Sequence, residues 1–280
     1  MLYKSVLTIW DSKETSGAAF AHAVEMTRES QGHLHVLCPA FMTVVSGVGY
    51  PFAVFPETIN PEERAAVTQR AEERQKEARD MLAKEGILYT VETAILNRDE
   101  LPALMNQTAR YVDITVLPRP YGPERTETDE RITEGALFAE QCPVLIVPEN
   151  ISEMPENRAV IAWDGSEQSL RATKMALPLL VSADAVDVVI VSKDQDAERH
   201  EEIAKDIGTF LSRHRINVDI KVVAHTGDRM SEMILDQARE LRASLIVMGG
   251  YGHSPLREFL FGGATRDMMK ESDIPILMAH

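Results

Sequence analysis

The sequence predicts an α/β fold of two tandem domains, each a mainly parallel five-stranded sheet with helices on both faces. Three observations carry that prediction. Short apolar runs without polar alternation, as strands buried on both faces require, alternate with longer segments of helical period. This strand–helix order runs through the chain twice. Landmark residues repeat with it. Trp10-Asp11-Ser12 returns as Trp163-Asp164-Gly165, Tyr121-Gly122 as Tyr251-Gly252, and Thr133 and Pro143 as Thr265 and Pro275. The offset falls from 153 residues at the first pair to 130 at the second, so the first half carries an insertion near 40–60.

The first strand spans 3–10. The helix after it, 16–29, sets Ala19, Phe20, Ala23, Val24 and Met26 on one face. A second strand, 33–38, stops at Pro39. Residues 41–55 are hydrophobic without a clear period, and left exposed they would form a large apolar patch. They suit a subunit interface between two copies, a lid or pocket wall, or plain core. Pro61 opens a long polar helix to about residue 85. Strand 88–96, helix 100–110 and strand 113–117 follow, then Pro118-Arg119-Pro120 and a charged loop. Helix 132–139 and strand 143–147 complete a domain over 1–148, and the polar stretch 149–157 reads as a linker. The second domain, 158–280, repeats the series: strand 159–163, helix 168–180, strand 185–191, helix 197–213, strand 218–225, helix 231–241, strand 245–248, helix 265–272 and strand 275–279.

Composition narrows the function. A formal net charge of −15, without clusters of Lys and Arg, argues against nucleic acid or anionic membranes as partners. No apolar run approaches the ~18 residues that span a bilayer, and the N-terminus lacks a signal-peptide pattern, so a cytoplasmic protein is expected. Cys38 and Cys142 lie beside apolar strands and read as small buried hydrophobes, and no Cys/His spacing suggests zinc.

The stretch with most chemistry in it follows strand 245–248. Met248-Gly249-Gly250-Tyr251-Gly252-His253 leads through an intervening segment to Gly262-Gly263-Ala264-Thr265, where a helix begins. A strand, a glycine-rich loop and a helix N-terminus together hold phosphate, because bare backbone and unpaired N–H groups approach the anion. A tight connection around a packed helix would use the same glycines. Asp164 lies on the same rim, at the end of the repeat's first strand, where open α/β sheets bind ligands. As an alternative, Asp164 closes a turn at a helix start, and Asp228 after Gly227 reads as a helix cap. Ser166, His225 and Asp164 have no ordering that makes them nucleophile, base and orienter. No Lys-[Ser/Thr] follows the glycines, so no dedicated ATPase or kinase is indicated.

At these residues the chain resembles the universal stress protein family in its tandem form. Gly249, Gly252 and Gly262 fit the spacing of its nucleotide-binding members, Gly-x2-Gly-x9-Gly, whereas Gly263 stands where those members have Ser or Thr. Thr265 fits a further hydroxyl near the phosphates, and Trp163-Asp164-Gly165-Ser166 resembles the family's first-strand motif. The resemblance implies Rossmann-like domains of the adenine nucleotide alpha hydrolase-like kind. It also implies a regulatory ATP- or AMP-binding protein, with or without Mg²⁺, acting in a stress response through an unknown protein partner. Ala162, Trp163 and Val191 would then flank the base and Asp164 would accept from the nucleoside. Met248, Gly249, Gly250 and Gly252 would floor the ribose and phosphates. Gly262, Gly263, Ala264 and Thr265 would cradle the phosphates; apart from the resemblance, His253, Arg257 and Arg266 could reach phosphate or stand simply exposed. In the first half, Pro118 and Glu130 replace glycines, so its site is expected to be degenerate. Strands 143–147 and 275–279 resemble the edges through which family members pair, here giving an intramolecular pseudo-dimer. A nucleotide-free interaction module and a slow ATP hydrolase are the alternatives.

Overall fold

Along β1 (Ser5–Ile9) successive side chains divide between two cores: Val6 joins one hydrophobic cluster, Leu7 and Ile9 the other. The same two-sided burial holds across the sheet's centre, which is why its strands read as unbroken apolar runs. The computed structural model describes residues 3–42, 48–49, 53–54, 61–123, 125–139, 142–150, 157–192, 197–250 and 263–280.

In the first half β1 is followed by α1 (Lys13–Ser30), β2 (His33–Phe41), a two-residue ladder of β3 (Val48–Gly49) and β4 (Ala53–Val54), and α2 (Pro61–Leu82). Then come β5 (Leu88–Leu96), a 3-10 turn at Arg98–Glu100, α3 (Leu101–Ala109), β6 (Ile114–Pro118), α4 (Glu127–Leu137) and β7 (Val144–Val147). The second half runs β8 (Arg158–Ala162), α5 (Glu167–Ser182), β9 (Ala185–Ser192), α6 (Ala197–Arg213), β10 (Val218–Ala224), α7 (Met230–Glu240), β11 (Leu245–Gly249), α8 (Gly263–Glu271) and β12 (Ile276–Ala279).

Within each half the five strands pair in parallel, in the spatial orders β5-β2-β1-β6-β7 and β10-β9-β8-β11-β12. The halves meet where β12 pairs antiparallel with β7, Leu277 opposite Leu145, so one ten-stranded sheet runs through the chain. The pairing expected of the two terminal strands is therefore made within the molecule. Both leucines are buried, and each contributes about 1.5–3 kcal/mol. Around the joint, the Tyr3 hydroxyl donates to the Met175 carbonyl at 2.6 Å and Arg119 donates to the Lys270 carbonyl at 3.1 Å. One core, against α1, α2, α5 and α6, covers one face; the other, against α3, α4, α7 and α8, covers the opposite face.

Three departures from expectation have a plain physical cause. β2 runs through Pro39 to Phe41, because β1 pairs only as far as Leu37 and a proline facing that vacated side loses no ladder bond. The Pro39 carbonyl is taken by Arg74 at 2.8 Å. α4 begins at Glu127, not 132: the Asp129 carboxylate accepts from the Thr126 N–H at 2.8 Å and from its hydroxyl at 2.9 Å, which starts the helix inside the charged stretch. At α7 the N-cap position falls to Arg229, and Asp228 instead accepts from the Thr226 hydroxyl at 2.5 Å. Most of the 41–55 insertion lies outside the described residues, as does the linker stretch 151–156.

Candidate functional site

The carboxyl ends of β8, β9 and β11 form the second-half rim. Ala162, the last residue of β8, is paired with Met248 on one side and Val189 on the other. The next residue, Trp163, donates its backbone N–H to the Val189 carbonyl at 2.9 Å. Its side chain packs in the core and its indole N–H finds no partner among the described residues, whereas the Trp10 indole donates to Glu77 at 3.3 Å. Val191, partly buried, lies two residues beyond the Ala162 pairing, opposite Val223 of β10.

Beyond Trp163 the chain turns sharply. Asp164 is exposed and its carboxylate accepts from the Ser166 N–H at 2.9 Å, Gly165 takes a φ of +76°, and the Ser166 hydroxyl caps α5 by accepting from the Ser169 N–H at 3.1 Å. One Asp164 oxygen thus serves the turn. Ser166 and His225 bond elsewhere, to Ser169 at 3.3 Å and to the Gly227 N–H at 3.2 Å, so the three form no triad.

β11 ends against this turn. A Cβ on Gly249 would stand 2.6 Å from the Ser169 nitrogen and 2.8 Å from the Gln168 carbonyl carbon, so only glycine lets the backbone pass so close to the first turn of α5. Gly250 donates its N–H to the Ala279 carbonyl at 2.9 Å. α8 opens at Gly263, two residues before the expected start, which brings Gly263 and Ala264 into its first turn with Thr265. Gly263 is exposed and a Cβ there meets nothing within 4 Å, whereas Thr265 is buried. Arg266 lies over the Tyr121 ring at 5.3 Å, a contact between halves. Tyr251, Gly252, His253 and Gly262 lie outside the described residues. Among the described residues, no group of three His, Cys, Asp or Glu side chains could hold a metal ion. No helix searched is long and apolar enough to cross a membrane.

The corresponding rim of the first half is built differently. Asp11, the counterpart of Asp164, is paired with Arg74 of α2 at 2.6 Å. Pro118 ends β6 where Met248 and Gly249 close β11. Arg125 is almost wholly buried, its guanidinium bonded to Glu149, to the Thr15 carbonyl at 2.6 Å and to Asp129 at 3.4 Å. Burial pushes the Glu149 carboxyl up, but its hydrogen bonds, that from Arg125 foremost, together with the charges of Arg125 and Arg119 outweigh it, and the net shift is downward. Glu127, Asp129 and Glu130 all sit in the first turn of α4. Asp11, Arg74, Pro118, Arg125 and Asp129 line a cavity of about 230 Å³, reached also by Arg98 and Phe41. Sequence reasoning missed Arg74 and Arg98: they come from a distant helix and turn, and no local spacing ties either to Asp11.

Comparison with known proteins follows the same division. Residues 156–280 match the model of the universal stress protein family. An uncharacterized protein of Schizosaccharomyces pombe is 25% identical over 135 residues, 43% of this chain; the match spans only 22% of that protein. Stress response protein NhaX of Bacillus subtilis is 23% identical, over 44% of this chain and 96% of its own length. Among solved structures, a universal stress protein from Archaeoglobus fulgidus aligns with a TM-score of 0.72 at 16% identity, over 98% of this chain and 95% of that one. One described as a putative universal stress protein, from Pseudomonas aeruginosa, aligns at 0.61 and 19% identity, over 99% and 93%. Identities this low speak for the fold.

Proposed function

We propose that this chain, whose residues 156–280 match the universal stress protein family model and whose first half repeats the same strand order, belongs to that family and binds an adenine nucleotide, ATP or AMP, on the second-half rim. It acts as a regulator in a stress response through a protein partner, not as a dedicated catalyst. The observation that carries this reading is Gly249. A backbone pressed so close to α5 that no Cβ fits leaves the rim bare of side chains where the β11 strand ends, and α8 then opens with an exposed glycine. Ala162, Met248 and Val191 offer apolar surface to a base, and Asp164 stands exposed at the edge of the same rim. Gly252, His253 and Gly262 complete the cradle in this reading. Mg²⁺, where it accompanies ATP, is held by the phosphate oxygens.

Denaturing the purified protein and analysing the supernatant should release ATP, ADP or AMP, and MgATP should raise the melting temperature. At a hundredfold excess over Kd the stabilisation is about 2.7 kcal/mol. Gly252→Glu should abolish the shift. Gly263→Ser, which restores a hydroxyl where there is open space, should tighten binding about tenfold, the worth of one charge-assisted hydrogen bond. No co-purified nucleotide and no thermal shift would leave a nucleotide-free interaction module, a reading that Asp164's role in the turn favours.

A further inference from the structure

We propose that the first-half rim is a second binding site of different chemistry, a pocket for a small monocarboxylate with an apolar body, its carboxylate seated on Arg98. Size, charge and wall chemistry each point there. The cavity, about 230 Å³, lies below the roughly 300–1,000 Å³ of sites that take drug-sized ligands, while an apolar cavity of about 150 Å³ already admits benzene. A benzoate-sized molecule fits within that volume.

Charge selects the anion. Of the three arginines on the wall, Arg74 is engaged by Asp11 and the Pro39 carbonyl, and Arg125 by Glu149, Asp129 and the Thr15 carbonyl. Arg98 has no carboxylate partner among the described residues; its guanidinium carbon lies 5.5 Å from the centre of the Phe41 ring. One uncompensated guanidinium matches one negative charge, and its planar fork suits a carboxylate held by two parallel hydrogen bonds. A phosphate dianion fits poorly, because the α4 N-terminus that would receive it carries Glu127, Asp129 and Glu130. Ile9, Leu117 and Ile132 supply apolar wall for the body of the ligand.

The pocket shares no residue with the nucleotide site proposed above, so either can fail alone. The full-length chain titrated with sodium benzoate by calorimetry should show saturable binding of one molecule per chain. Arg98→Gln should weaken it at least tenfold; Arg98 is exposed, so the variant should keep the wild-type circular dichroism spectrum. Gly252→Glu should leave benzoate binding unchanged, and sodium phosphate should not displace it. Failure of benzoate to saturate, equal affinity in Arg98→Gln, or displacement by phosphate or by MgATP would each overturn the proposal.

Discussion

Burial changes what the two thiols can do. Cys38 is fully buried and its pKa is pushed up to about 12, chiefly by loss of water, with Arg74 and Arg79 pulling weakly the other way. Burial takes Cys142 to about 11, against the Thr115 hydroxyl 3.3 Å away, which favours the thiolate. In the unfolded chain both ionise near 9.0. The folded state therefore keeps protons that the unfolded state releases. The stability this represents is complete below pH 9 and is lost as pH climbs from 9 towards 12, by at most about 1.4 kcal/mol per pH unit for each thiol. Denaturant midpoints measured from pH 8 to 11 should fall more steeply in the wild type than in Cys38→Ala. The apolar neighbours of both cysteines made their burial legible in the sequence. The pairing of Asp11 with Arg74 was not legible, because it is settled by how α2 packs on β2 and β5, 63 residues further along the chain.

Helices α3 and α4 cross closely enough to exclude a methyl group. A Cβ on Gly135 would lie 2.6 Å from the Pro102 carbonyl oxygen and 2.7 Å from its Cα, both backbone atoms that cannot swing aside. Gly135→Ala should destabilise the protein by about 1–3 kcal/mol, seen as a lowered melting temperature with an unchanged far-ultraviolet spectrum. Nothing in the sequence marked Gly135, since a glycine inside a helix shows its reason only when the neighbouring helix is in place. The elements themselves were largely legible. Strands covered on both faces must be apolar throughout, and amphipathic helices must repeat every third or fourth residue, so both leave marks that do not depend on tertiary context. The start of α4 hid in a run of charge because its cap is an acidic side chain three residues inside the helix. At the candidate site, the strand ends and Gly249 were readable from spacing. The reason for Gly249 was not, because it lies in the backbone of α5.

At the level of the whole molecule, each half contains one of the chain's two tryptophans, and both are buried in the same hydrophobic cluster. A sheet continuous through β7 and β12, with a core on each face that spans both halves, should unfold in one step. Trp163→Phe leaves fluorescence to report the first half, and Trp10→Phe leaves it to report the second. In each variant the fluorescence midpoint in denaturant should coincide with that from circular dichroism; separated midpoints would mean that the halves melt independently. The repeat and its offset made this two-part plan readable, but the register that seats Leu277 on Leu145 depends on pairing across 132 residues of chain.

The antiparallel joint of β7 and β12 carries one more consequence. A single copy of such a half could complete that edge only by finding a twin, at a rate and to an extent set by how many copies are present. Here the twin is tethered, so this junction is a unimolecular event. Its occupancy stays the same on dilution, and a cell holding very few copies has it as fully formed as one holding many.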